Sequence, residues 1–253
     1  MLRCLRGSRG AVLCPKVVSC SSTISTSFGI RVFGDAPSLS TSVDPDEVQR
    51  FGQLSTQWAC ESGSFKALHS LNQLRVPWIV DTVAKLESEP DAIRAARIAL
   101  SSAFYGSQPQ PSGDVHLECT TVEHFSKNNA AAFDAVIASE IVEHVANIDT
   151  FVEACVHLAR PGAPLFFTTI NRTIASRVFA IFLAEEVFGI VPRGVHEWSK
   201  FVVRDVLRNK LEINGCDVRL VHGITYNPLT NKWSWSNCTA VNYAMMAVKR
   251  RSS

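Results

Sequence analysis

The sequence has no CxxC pair, and its eight cysteines, at positions 4, 14, 20, 60, 119, 155, 216 and 238, show no neighbouring Cys/His spacing that resembles a zinc site. They read as reduced thiols of an ordinary intracellular protein. A basic stripe interleaved with aromatics is also missing. The 25 basic residues stand against 23 acidic ones, for a formal charge of +2, which excludes a nucleic-acid surface and leaves no nucleic acid among the expected partners. Long apolar runs are scarce. The longest, residues 178–191, is interrupted by Glu185 and Glu186 and is too short to cross a bilayer as a helix. Acidic residues are missing from the start of the chain: Arg3, Arg6, Arg9, Lys16 and Arg31 all precede the first of them, Asp35, among many serines and threonines. That is the composition of a mitochondrial transit peptide, with a disordered tail of no address as the plainer alternative. Residues 1–43 are therefore expected to lie outside the fold, and cleavage would leave a mature chain starting between Phe33 and Val43.

What remains is ample for a globular domain, since a chain of 253 residues at 46% hydrophobic content buries a sizeable core. The folded part, residues 44–253, is expected to begin at Asp44-Pro45-Asp46-Glu47. There Asp44 caps a helix, Pro45 suits its first position and Glu47 completes a capping box. Val48, Phe51, Leu54 and Trp58 follow at helical spacing. A second helix is expected over 74–86 and a third over 91–103, before a Gln, Pro and Ser-rich loop at 106–113. Strand and helix then alternate. Strands are expected at 115–122, 133–138 and 164–170, with a helix over 148–159 ended by Arg160-Pro161-Gly162. The tail supplies a helix over 201–214, with Gly215 as its cap, and strands at 218–226 and 242–248. Near-continuous apolar strands separated by helices need cover on both faces, so the fold class is α/β with a doubly wound, mostly parallel sheet.

In such a sheet ligands bind beyond the carboxyl ends of the strands. The run Phe133-Asp134-Ala135-Val136-Ile137-Ala138 leads straight into Ser139-Glu140-Ile141-Val142-Glu143-His144. A helical turn there places Glu140, Glu143 and His144 on one face, at i, i+3 and i+4. Two carboxylates and an imidazole so arranged would suit a divalent cation, magnesium before zinc. The competing reading is a solvated first turn whose glutamates favour the helix dipole.

The same run, through Val145, resembles the fourth-strand motif of class I (Rossmann-like) S-adenosylmethionine-dependent methyltransferases, in the form used by the O-methyltransferases of ubiquinone biosynthesis. Further matching stretches are Leu68-His69-Ser70-Leu71-Asn72, Leu74-Arg75-Val76-Pro77, Thr168-Thr169-Ile170-Asn171-Arg172, Val191-Pro192-Arg193-Gly194-Val195-His196 and Ile224-Thr225-Tyr226-Asn227-Pro228. The resemblance implies methyl transfer from S-adenosylmethionine to a hydroxyl of a polyprenylated catechol, and a second similar transfer to a demethylubiquinol intermediate. It implies that Arg75 and Ser139 lie against the cofactor and that Glu140, Glu143 and His144 bind Mg2+, which would acidify one catechol hydroxyl and align it with the methyl. His144 ranks second as a general base. The resemblance also implies other ubiquinone-biosynthesis proteins as partners. It places the chain peripherally on the matrix side of the mitochondrial inner membrane, where residues 177–190 could rest in the interface or serve as a core helix under the substrate.

One piece of the family pattern is missing. A strand, a glycine-rich turn, a helix and a strand ending in an acidic residue should follow the second helix. Here Lys85-Leu86-Glu87-Ser88-Glu89-Pro90 passes directly into Asp91-Ala92-Ile93, and Gly162, Gly189 and Gly194 are isolated. The domain is thus one β-α-β unit short after Pro90, about 30 to 40 residues. In the family's sheet order that unit lies between the strands at 115–122 and 133–138. Those two are expected to pair directly or to leave unpaired backbone between them.

Overall fold

The computed structural model describes residues 2–6, 9–14, 42–54, 66–86, 114–173, 176 and 200–251. The expected third helix at 91–103, the loop at 106–113 and the apolar stretch at 177–190 lie outside the described residues. Strand β1 (Leu2–Arg6) and strand β2 (Arg9–Cys14) precede helix α1 (Pro45–Leu54) and helix α2 (Lys66–Leu86). Strand β3 (Asp114–Cys119), helix α3 (Val122–Asn128) and strand β4 (Ala135–Ser139) follow. Helix α4 (Ile148–Leu158), strand β5 (Pro164–Ile170) and helix α5 (Arg204–Ile213) lead to strands β6 (Cys216–Asn227), β7 (Lys232–Ser236) and β8 (Asn242–Lys249).

All eight strands belong to one sheet, in the order β3-β2-β1-β4-β5-β8-β6-β7. The pairs β2/β3 and β4/β5 are parallel; β1 is antiparallel to both its neighbours, and β8 is antiparallel to both of its own. Strands β4 and β5 are buried on both sides because helices cover both faces. On one face Ile79, Val80 and Val83 of α2 pack on Ala135, Ile137, Phe166 and Met246. On the other, Phe125 of α3, Phe151, Val152 and Cys155 of α4, and Leu207 and Leu211 of α5 pack on Val136, Ala138, Leu165, Phe167 and Met245. The doubly wound α/β reading holds, but the expected mostly parallel sheet is corrected to a mixed one: among the described strands only β2/β3 and β4/β5 pair in parallel, because β1 and the C-terminal strands enter by hairpins and reversals.

Local chemistry sets the element ends. Asp44 Oδ1 accepts from the amides of Asp46 at 3.0 Å and Glu47 at 3.4 Å, capping α1 as expected. Asn147 Oδ1 caps α4 through the amides of Asp149 and Thr150, and Lys249 Nζ satisfies the carbonyls of Val156 and Ala159 at its other end. Three sequence boundaries shift. Thr121 caps a helix starting at Val122, so the third strand stops at Cys119; α2 starts eight residues earlier than expected, at Lys66; and α5 starts at Arg204.

Two expectations about the sheet are corrected. Strands β3 and β4 neither pair with each other nor leave a gap, because β1 and β2 stand between them. Residues 2–6 and 9–14, expected outside the fold, are these two strands. The physical reason is the demand for partners: each strand flanking a vacant slot has a row of amides and carbonyls to satisfy, and a short apolar hairpin satisfies both rows.

Candidate functional site

The polar residues gather at the carboxyl ends of β4 and β5. Ser139, the last residue of β4, is registered with Thr168 of β5, and their hydroxyls lie 2.6 Å apart. Both are buried. From the covering helix α2, Asn72 and Arg75, one turn apart, reach the same place. Arg75 Nη1 donates to Ser139 Oγ in a short hydrogen bond, and Arg75 Nε donates to Asn72 Oδ1 at 2.8 Å. Arg75 is 4% exposed, so burial works against its cation and lowers its pKa to about 10, while neighbouring Glu140 pushes the other way. It remains charged at neutral pH.

Glu140 occupies a strained position. Its φ is +48°, the left-handed region, which lets its amide turn back to the Thr168 carbonyl at 2.8 Å. Burial raises its pKa first, and the nearby Glu143 adds to the rise; Arg75 and a hydrogen bond with Thr168 oppose it. A 3₁₀ turn, Val142–His144, follows. Buried Glu143 accepts from Thr169 Oγ1 at 2.6 Å. His144 Nδ1 meets Glu47 Oε2 at 3.0 Å, and Lys200 Nζ ties Glu47 to Asp44 at 3.2 and 2.8 Å.

The structure therefore brings Arg75, Ser139 and Glu140 together, leaves Glu143 near enough to act on Glu140, and turns His144 to Glu47. The shared helical face of Glu140, Glu143 and His144 is corrected, because positive φ at Glu140 and a 3₁₀ turn replace the α-helical turn. The three side chains face Arg75 and Thr168, Thr169, and Glu47 respectively. Among the described residues no group of three or more His, Cys, Asp or Glu side chains is placed to hold a metal ion.

Sequence reasoning missed Asn72, Thr168, Thr169, Glu47 and Lys200 as members of this network. A signal existed for the threonines, which end the adjacent parallel strand. None existed for Glu47, whose contact with His144 depends on how α1 packs, or for Lys200, which reaches Glu47 and Asp44 from the residues before α5.

The residues fit a carboxylate-bearing ligand better than a nucleoside. Arg75 supplies a buried cation at the strand ends, and the Ser139 and Thr168 hydroxyls stand beside it. Groups for a ribose are another matter, because β1 runs antiparallel to β4 and places its first residues, with Leu2 opposite Ala138, at the end where Ser139 lies. β1 itself leaves the sheet at the opposite end, and the strand whose carboxyl end lies on the Ser139 side is β2, at Cys14, one position further from β4.

Comparison with known proteins gives the following. No family profile matches the chain. The mitochondrial ubiquinone biosynthesis O-methyltransferase of Rattus norvegicus is 34% identical over 249 aligned positions, covering 85% of this chain and 72% of the relative. Its Homo sapiens counterpart is 36% identical, covering 83% of this chain and 66% of the relative. The ubiquinone biosynthesis O-methyltransferase of Parvibaculum lavamentivorans is 32% identical, covering 83% of this chain and 96% of the relative. The chain thus spans about two thirds to three quarters of the length of these mammalian relatives. In the rat match, 85% of 253 residues is about 215, so about 34 of the 249 aligned positions face no residue of this chain, the size of one β-α-β unit at about 30 residues or more.

Proposed function

We propose, from the premise that this chain belongs to the ubiquinone biosynthesis O-methyltransferase family, that its site is built for methyl transfer from S-adenosylmethionine to a phenolic hydroxyl of a polyprenylated catechol and of a demethylubiquinol intermediate. The observation that carries the reading is the Arg75–Ser139 contact at the end of β4, in a chain 32 to 36% identical to named O-methyltransferases over most of its length. S-adenosylmethionine supplies an electrophilic methyl on a sulfonium. In this chain Arg75 would hold the carboxylate of its methionine end, with Ser139 and Thr168 fixing the guanidinium. The accepting hydroxyl must lose a proton. His144, held through Nδ1 by Glu47, and Glu140, whose raised pKa makes it a stronger base than an ordinary carboxylate, are the candidate acceptors. No step passes through a metal ion.

A second reading is favoured by the antiparallel hairpin that stands where the cofactor-binding unit belongs. The chain is then a catalytically silent member that keeps surfaces for the membrane or for other ubiquinone-biosynthesis proteins. Under either reading the basic leader and the mitochondrial names of the mammalian relatives support a mitochondrial location, and a peripheral seat on the matrix side of the inner membrane is part of the proposal, since a polyprenylated phenol would be collected there. Among the described residues no helix is long and apolar enough to cross a membrane.

Calorimetry with S-adenosylmethionine tests the reading. The chain without a glycine-rich turn loses several hydrogen bonds of about 0.5 to 3 kcal/mol each, so its affinity should be at least about a hundredfold below that of a version with a strand, glycine-rich turn, helix and acid-ended strand inserted between Pro90 and Asp91. Micromolar binding by the unmodified chain would overturn the account of the missing unit, and no binding by the version with the unit inserted would overturn the methyl-transfer reading.

A further inference from the structure

The slot between β3 and β4 is two strands wide, and two strands fill it. β2 lies parallel on β3 with Arg9 opposite Asp114 and Cys14 opposite Cys119; β1 lies antiparallel on β4 with Leu2 opposite Ala138 and Leu5 opposite Ala135. The two pair with each other from Leu2↔Leu13 to Arg6↔Arg9. Between them the sequence reads Gly7-Ser8, of the Gly-X kind that two-residue hairpin connections favour. In the family pattern the same slot takes the first and last strands of the missing β-α-β unit, which a right-handed crossover makes parallel. A hairpin cannot reproduce that sense. It matches the slot in width and backbone pairing, with β1 antiparallel where the family unit would place a parallel strand beside β4.

We infer that residues 2–14 are a strand pair donated by the chain to its own sheet in place of the missing unit, and that the hairpin and a cofactor-binding unit are mutually exclusive occupants of one slot. The consequence for the leader is direct. Cleavage between Phe33 and Val43 would remove two strands from the middle of the sheet and leave two open edges, so the folded chain retains its first residues. The identity of the slot's ordinary occupant rests on the family reading; the seat of the hairpin does not.

Cross-linking in the purified full-length chain tests this. Neighbouring strands lie about 4.7 to 4.9 Å apart, so register partners fall within the Cα range of about 4.4 to 6.8 Å that a disulfide spans. Mild oxidation of the unmodified chain with copper phenanthroline, followed by peptide mass spectrometry, should give a Cys14–Cys119 link. Cys4 is registered with Val136 and not with Ile137. Val136→Cys should therefore link to Cys4 at least about tenfold more than Ile137→Cys, which faces the other side of the sheet. Absence of the Cys14–Cys119 link, or equal linking of the two variants, overturns the inference. In the chain carrying the inserted unit the Cys14–Cys119 link should disappear. A link that persists beside restored S-adenosylmethionine binding refutes mutual exclusion, whereas failed binding with the link retained in the unmodified chain counts against the methyl-transfer reading and leaves the hairpin standing.

Discussion

Arg75 is buried, with Nε donating to Asn72 and Nη1 to Ser139, and part-buried Glu140 lies near enough to act on it. Arg75→Ala removes the donor to both side chains and the cation that opposes the rise in the Glu140 pKa. Losing buried charge-assisted hydrogen bonds costs about 1.5 to 3 kcal/mol, so the midpoint of urea unfolding should fall. A midpoint unchanged in Arg75→Ala would show that the cation is not needed there. Glu140 itself makes a pH prediction. Its folded pKa lies above the ordinary 4.5, because burial disfavours the carboxylate. The folded chain then holds a proton that the unfolded chain releases. The stability this contributes is complete below about 4.5 and is lost as pH rises through the folded value. Asp44 has the opposite sign, since its hydrogen bond from Lys200 lowers its pKa and its contribution is lost as pH falls. Comparing Glu140→Gln with the unmodified chain isolates the Glu140 component: the stability difference between them should widen in favour of Gln as pH rises from about 4 to 7, and parallel curves would count against it.

At the scale of elements, strand β6 is held by close approach as much as by side chains. A Cβ on Gly223 of β6 would lie 1.9 Å from the Cys238 carbonyl oxygen and 3.0 Å from that of Ser236. Both obstacles are backbone, so neither can swing aside. Gly223→Ala should therefore force β6 away from the chain following β7 and cost about 1 to 3 kcal/mol in thermal or urea unfolding. The same region presents Trp235, edge-on to Trp78 at 5.4 Å, and Trp78 is in turn edge-on to Phe166 at 5.1 Å. A displaced β6 should register as a change in tryptophan fluorescence, and an unaltered spectrum with unaltered stability would refute the tight approach. Most elements here were legible in the sequence because their apolar periodicity is strong: β5 matches its expected span, and α4, β6 and β8 differ only at their ends. Helix α3 was missed because Val122-Glu123-His124-Phe125 continues an extended apolar pattern, and only the Thr121 cap breaks it.

For the whole molecule, address and architecture compete for the same residues. The basic, acid-poor start of the chain should carry a fluorescent reporter fused behind residues 1–43 into the mitochondrial matrix, and a cytosolic reporter would contradict that. The composition that makes a leader also permits a hairpin, since arginine, serine and small apolar residues do not forbid strand pairing.

By itself the sequence determined the α/β class, the alternation of strands and helices after residue 114, the family and the absence of one β-α-β unit, because these follow from periodicity and short motifs that act locally. The gathering of Arg75 and Ser139 was implied by resemblance, and their hydrogen bond was seen only in three dimensions. Tertiary structure alone decided what fills the vacated slot, since a hairpin's worth lies in backbone groups offered by strands more than a hundred residues away. It also decided that Glu140, Glu143 and His144 turn to separate partners. A spacing of three and four residues places side chains together only where the backbone is α-helical, and at Glu140 the chain leaves β4 through a positive φ.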